Sequence, residues 1–235
     1  MKGGRTEAGA RAAASHTASL AGSIEVWDGI FRQAGVIQVP ALEDMVDVLV
    51  TFLYLPVPQG RRLGSVGMGG GATVVATDSY AAAGFDLPPL PQEIRQKLRS
   101  LVPTDAGLSL NNPVDFSAPY YLMDLYPAGK AVVGYNGFDF LIFHLPLSIV
   151  GPVYSLPTDM ASSLLDGLVK VRRETNKPLA LVINNFVAGE SWQTAFACVK
   201  KCSEAGIPVY FSANSAARSI DRLMRYHEWR AGLAG

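Results

Sequence analysis

The residue in this sequence best suited to chemistry is a histidine. His16 stands in the stretch AAASHTASLAGS, residues 12–23, preceded by three alanines and Ser15 and followed by Thr17 and Ser19. Such small neighbours leave backbone amides and hydroxyls bare, so the stretch reads as a loop through which a charged group could approach the imidazole. Metal ligation would need companions. His144 lies instead inside the apolar run LIFHLP, where a strand histidine satisfied by a backbone partner is expected, and His227 falls in the amphipathic run RLMRYHEWR as a half-exposed surface residue. No G-x-S-x-G elbow supports a serine hydrolase. The remaining chemistry is that of a nucleophilic imidazole that accepts a group such as phosphoryl and passes it on.

Two other stretches bear on this reading. In GMGGGATVVATD, residues 67–78, the consecutive glycines Gly69, Gly70 and Gly71 sit between a strand pattern and a helix pattern. Bare amides at the positive end of a helix commonly hold phosphate, although such a turn can equally serve tight packing. It is neither a Walker motif nor a dinucleotide fingerprint. In NNPVDF, residues 111–116, the Asn-Pro step favours a turn, with Asp115 placed to accept backbone hydrogen bonds that hold the loop to a sheet.

The elements that position these residues follow from periodicity. Ile24, Trp27, Ile30 and Phe31 recur at helical spacing and end on Gly35; VIQVP (36–40) reads as a short strand; Leu42, Met45, Val46, Leu49 and Leu53 resume the helical period. PVPQGRR, residues 56–62, reads as a linker. Beyond it, a strand is expected in RLGSVGM (62–68), and the later strands at 138–146, 178–186 and 207–213 are almost uninterrupted in their apolar residues, as suits parallel strands buried on both faces. Helical patterns in TVVATDSYAAAG (73–84) and near 158–175, 191–205 and 215–229 alternate with them, and a further helix at 92–101 precedes a long loop carrying NNPVDF. The fold class is α/β: a flavodoxin-like doubly wound parallel sheet over residues 57–235, preceded by a partial α/β segment over residues 1–56.

Composition narrows the function. The 235 residues are 49% apolar and 17% charged, enough to bury a core. Twenty Lys and Arg balance twenty Asp and Glu, which disfavours bulk nucleic-acid binding. No apolar run is long enough to span a bilayer, and the start carries no secretory h-region; a cytoplasmic location is expected. Cys198 and Cys202 share a helix face and read as reduced thiols. No bound metal is expected.

The order Ser-His-Thr-x-Ser-Leu-Ala-Gly, the aromatic-Asp helix and FRQAGVI resemble the phosphohistidine segment of the ADP-forming acyl-CoA synthetases, the superfamily that includes succinyl-CoA synthetase. GGGATVVATDSYAAAGFDLPPL, NNPVDF and the closing AGIPVYFSANSAARSIDRLMRYHEWR resemble the succinyl-CoA synthetase-like domain that follows it there. The resemblance implies a reversible reaction in which acid, CoA and ATP give acyl-CoA, ADP and phosphate. His16 would be transiently phosphorylated and Gly69–Gly71 would form the facing helix cap; Ser15, Thr17 and Ser19 are inferred to steady the phosphate. Substrates would be CoA and Mg-ATP or ADP, with their main sites on a CoA-binding Rossmann domain and an ATP-grasp domain outside this chain, and phosphate or acyl phosphate would meet His16. The chain departs from the family in Ala18, where Gly is usual, and in Gly67-Met68, where Thr-Asn is usual. The sequence is therefore expected to be part of a longer enzyme, a subunit or a remnant. A noncatalytic scaffolding module, as in Pat-type protein acetyltransferases, is the alternative. The first fifty-odd residues, Trp27 and Phe31 among them, are expected to lack cover or to dock on the second unit.

Overall fold

The computed structural model describes residues 1–17, 22–67, 70–102, 104, 107–116, 125–147, 158–184 and 191–233. Along the chain its elements are α1 (Glu7–Thr17), α2 (Ile24–Gln33), α3 (Leu42–Tyr54), β1 (Leu63–Gly67), α4 (Gly70–Ala82), α5 (Gln92–Arg99), β2 (Ser109–Leu110), β3 (Val114–Asp115), α6 (Tyr126–Val133), β4 (Phe140–Pro146), α7 (Thr158–Arg173), β5 (Leu179–Asn184), α8 (Ser191–Glu204), β6 (Val209–Tyr210) and α9 (Ala213–Leu233).

The sheet order is β2-β3-β1-β4-β5-β6. Every pair is parallel except β2 with β3. Leaving that antiparallel edge aside, the parallel strands run 2-1-3-4-5 in chain order, the flavodoxin arrangement. Alternate residues of β4 and β5 serve opposite faces. Leu141, Phe143, Leu181 and Ile183 join a core with α5–α8, while Phe140, Ile142, Ala180 and Val182 join a second core with α4 and α9. Both strands are sealed from water, which is why their sequences are continuous apolar runs rather than alternating ones. Cys198 and Cys202 are free and buried, and burial pushes their thiols up to about 11 and about 12.

Several expectations change. Residues 12–17 are not a loop but the last turns of α1. VIQVP forms no strand; Val39 is buried within an irregular crossing. The last strand shrinks from seven expected residues to Val209–Tyr210. NNPVDF is a hairpin followed by a parallel strand: β2 and β3 pair with Ser109 opposite Asp115, and β3 continues alongside β1. Asn112 explains the placement. Its Oδ1 accepts from the Ser65 amide at 2.9 Å, and its Nδ2 donates to the carbonyls of Leu63 and Pro88 at 2.8 and 3.0 Å.

The helices before β1 dock through α3, which packs along α9. The buried face of α3 is Asp44, Val48 and Thr51. Asp44 accepts from Arg218 at 2.8 Å and faces Arg222 at 3.6 Å. Thr51 Oγ1 donates to the Asp47 carbonyl at 2.6 Å, leaving the Tyr210 hydroxyl to donate to Thr51 Oγ1 at 2.7 Å. The linker is tied down as well: Arg61 pairs with Asp221 at 2.9 Å, and Arg62 with Asp139 at 2.7 Å. α2 ends in a paired turn, with Gly35 N–H bonded to the Arg32 carbonyl and Val36 N–H to the Phe31 carbonyl. Gly35 has φ of 64°, and a Cβ there would lie 2.1 Å from the Trp229 ring, so the turn and its contact with α9 both require glycine.

His144 on β4 is fully enclosed. Its partner is a side chain, not the backbone: Nε2 is hydrogen-bonded to the Tyr80 hydroxyl at 2.9 Å. Burial lowers its pKa from 6.5 to about 4, so the ring is neutral at pH 7.

Two outcomes are expected. Thr51→Val removes the acceptor of a buried hydroxyl and should cost about 1–3 kcal/mol in urea unfolding, whereas adding Tyr210→Phe should recover most of it. As pH falls from 6.5 toward 4, the unfolded chain takes up a proton that folded His144 refuses. Stability should therefore drop across that window by about 3 kcal/mol, and His144→Gln should flatten that part of the profile.

Candidate phosphoryl site

His16 lies exposed in the last turn of α1. Alanine, the strongest helix former, fills the turns before it, and Arg11 pairs with Glu7 one turn earlier at 2.6 Å. Ser15 Oγ donates to the Ala12 carbonyl at 2.8 Å, so this hydroxyl is engaged with its own helix. Thr17 closes the helix. Ser19 and Gly69 lie outside the described residues.

The attachment of α1 is one-sided. Arg5, just before its first turn, donates to Asp28 at 2.6 Å and to Gln38 at 2.7 Å, fixing the start of the helix to α2 and to the crossing after it. No extensive packing of α1 on another element is present among the described residues. His16 thus sits at the outer end of a short helical arm held near its base.

Gly70 and Gly71 open α4 at the carboxyl edge of the sheet. A Cβ on Gly71 would meet nothing within 4 Å, whereas one on Gly70 would lie 3.1 Å from Asp115 Oδ2. The structure therefore brings Gly70, Gly71 and the buried Asp115 carboxylate together and leaves His16 apart from them on α1. Gly67, the residue that departs from the family pattern, is a consequence of close strand approach: a Cβ there would come within 2.5 Å of His144 Cβ. The atoms met are the Cβ and backbone of residue 144, so a threonine does not fit at this strand separation.

Helix ends decide where a phosphate would be comfortable. The carboxyl end of α1, where His16 now lies, carries partial negative charge and opposes a phosphate group. The amino end of α2 is occupied: Ser23 Oγ accepts from the Val26 amide, and its hydroxyl holds the nearby Glu25 carboxyl below the usual range. The first turn of α4 contains no acidic residue. Beside it opens a cavity of about 470 Å³, bounded by Gly71, Val75 and Ser79 of α4, Asn184 at the end of β5, Phe211 after β6 and Asn214 in the first turn of α9. Its walls combine apolar surface with side-chain amides. Sequence reasoning gave Asp115 only a loop-holding role and did not find Asn184 or Asn214; the available signal was their position just past strand ends in an α/β sheet, where ligands gather. Among the described residues, no group of three or more His, Cys, Asp or Glu could hold a metal ion, and no helix is long and apolar enough to cross a membrane.

Comparison with known proteins places this geometry. Residues 1–52 match the family described as succinyl-CoA ligase like flavodoxin domain. The chain is 32% identical over 229 residues to the alpha subunit of ADP-forming acetate–CoA ligase II from Pyrococcus furiosus, covering 96% of this chain and 46% of that one. It is 28% identical to the ADP-forming 4-hydroxybutyrate–CoA ligase of Nitrosopumilus maritimus, covering 97% of this chain and 30% of the relative. Among solved structures, the Ca. Korarchaeum cryptofilum dinucleotide forming acetyl-coenzyme A synthetase 1, in complex with phosphate and ADP, superposes with a TM-score of 0.73 at 28% identity, over 97% of this chain and 46% of that one. The chain thus spans half or less of the length of these relatives. Along nearly its whole length this chain is similar in sequence and in fold to ADP-forming acyl-CoA ligases, and its residues 1–52 match the succinyl-CoA ligase like flavodoxin domain.

Proposed function

We propose that this chain is the phosphoryl-relay part of an ADP-forming acyl-CoA synthetase. The observation that carries the reading is an exposed imidazole on an arm anchored near its base, in a chain related over nearly its whole length to ADP-forming acyl-CoA ligases. In the direction of ATP synthesis, a ring nitrogen of His16 attacks the phosphorus of an acyl phosphate. The N–P bond forms, the P–O bond to the acyl group breaks, and the carboxylate leaves with the electron pair. A terminal oxygen of ADP then attacks the same phosphorus and the imidazole is restored.

Phosphorylation would reverse the local electrostatics. A phosphate at the carboxyl end of α1 meets the negative helix end, a penalty of about 0.3–1 kcal/mol, and the amino end of α4 offers a gain of similar size. Both favour loosening the last turn of α1 and carrying the group toward Gly69, Gly70 and Gly71, with Ser15, Thr17 and Ser19 released to bond the phosphate. The carboxylate of Asp115 beside Gly70 limits how deeply the group enters. CoA and the magnesium nucleotide are substrates held on a CoA-binding Rossmann domain and an ATP-grasp domain, which work with this chain in the cytoplasm. The unit boundary falls near residue 56, ahead of the arginine-bearing linker.

A noncatalytic regulatory module is the second reading. The observation that favours it is Gly67, where His144 excludes the side chain that the resemblance places before the glycine turn.

Incubation of the chain with labelled ATP, Mg²⁺ and a CoA-binding and ATP-grasp partner should introduce label that survives base, is lost in acid and is absent from His16→Ala. Absence of label, from a partner that phosphorylates an intact related chain, would overturn the relay reading and leave a remnant or the noncatalytic module.

A further inference from the structure

The contact between α2 and α9 leaves a second space open. A cavity of about 480 Å³ lies between the end of α2, the crossing after it and the second half of α9. Its residues on α9, from Arg222 to Trp229, stand roughly 12–22 Å along that helix from Asn214, which borders the cavity beside α4. The two spaces are therefore distinct.

The walls divide into flat apolar surface and hydrogen-bond donors. Phe31, Tyr226 and Trp229 supply aromatic rings. Trp229 rests where Gly35 makes room for it, and its ring centre is 6.1 Å from that of Tyr226 at an angle of 32°. Tyr226 is braced in turn against Phe52, edge to face, at 5.3 Å. The charged lining is Arg32, Arg222 and Arg225, with no carboxylate among the described residues. Gln38 also borders the space; its Oε1 accepts from Arg5 at 2.7 Å, so its amide has N–H left to offer.

None of these arginines has a carboxylate to itself. Arg225 shares Asp221 with Arg61. Arg222 faces Asp44 at 3.6 Å while Arg218 holds that group closer, at 2.8 Å, and Asp47 acts on the same two arginines together. The Nη1 atom of Arg222 is sealed from water without a hydrogen-bond acceptor, a sign that its charge is incompletely met. Arg32 makes no side-chain hydrogen bond or ion pair among the described residues.

We infer that this cavity is a binding site for a phosphate monoester carried on a flat aromatic ring system, the chemistry of a mononucleotide. The ring lies against the aromatic wall, and the phosphate takes donors from Arg32 on α2 and Arg225 on α9. Guanidinium groups meet phosphate oxygens in pairs, and an anion that only accepts matches a lining rich in donors. A bare phosphate would leave the rings unused, and the volume is that of a small-molecule site. The inference does not depend on phosphoryl transfer at His16.

Isothermal titration calorimetry of the full 235-residue chain with AMP should show saturable one-to-one binding. Adenosine, which lacks the charge, and inorganic phosphate, which lacks the ring, should each bind at least about tenfold more weakly. Arg32→Gln should weaken AMP binding by about tenfold or more, and the melting temperature should stay the same because Arg32 has no partner to lose. Trp229→Phe should keep binding that Trp229→Leu loses. His16→Ala should leave AMP affinity unchanged, so this result and the labelling result can fail separately. AMP affinity untouched by Arg32→Gln or by Trp229→Leu would overturn the proposal. So would phosphate bound as tightly as AMP, or no saturable AMP binding at millimolar concentration.

Discussion

A pair of hydroxyls with no access to water joins the two parts of this chain. Thr51 on α3 and Tyr210 on β6 are both fully buried and bonded to each other, 159 residues apart in sequence. A buried hydroxyl without a partner is expensive, so α3 cannot shift along α9 without losing that bond. Asp44, held between Arg218 and Arg222, fixes the same contact one helical turn or two away. The position of everything earlier in the chain follows: α2 is set by the Gly35–Trp229 contact, and α1 hangs from α2 through Arg5. The arm bearing His16 is therefore positioned from its base upward by contacts that become less buried toward the reactive residue.

The parts of the fold legible in the sequence were those with one physical cause. β4 and β5 announce themselves because a strand sealed on both faces has no polar alternation to confuse it. α2 announces both its apolar period and its terminal glycine. The errors came where two causes competed. Around His16, small residues suggested a bare loop, but most of those small residues are alanines, whose helix propensity prevails. VIQVP carries the residues of a strand, yet no neighbouring strand offers it hydrogen bonds among the described residues. β3 is two residues long, too short to show a period, and its place depends on Asn112, whose side chain reaches β1 and the Pro88 carbonyl. Asp115 reaches α4 by that route, a relation no spacing in the sequence reveals.

The site was legible to a different degree from the fold. His16 could be picked out because an imidazole among small residues has few structural uses. Its surroundings could not, since the phosphate-binding end of α4, the Asp115 carboxylate and the cavity beside Asn184 come from four separate stretches. Gly67 is the instructive case. Seen as a sequence difference it is a departure from a pattern; seen in the sheet it is what the close approach of β4 at residue 144 requires.

The contact between α3 and α9 also has a consequence for synthesis. Asp44 and its partner Arg218 are separated by 174 residues, so α3 leaves the ribosome long before the helix that receives it exists. Its buried face waits through the making of the whole sheet. A nascent chain with this layout offers apolar surface early, which makes it a natural client for a chaperone that works during translation.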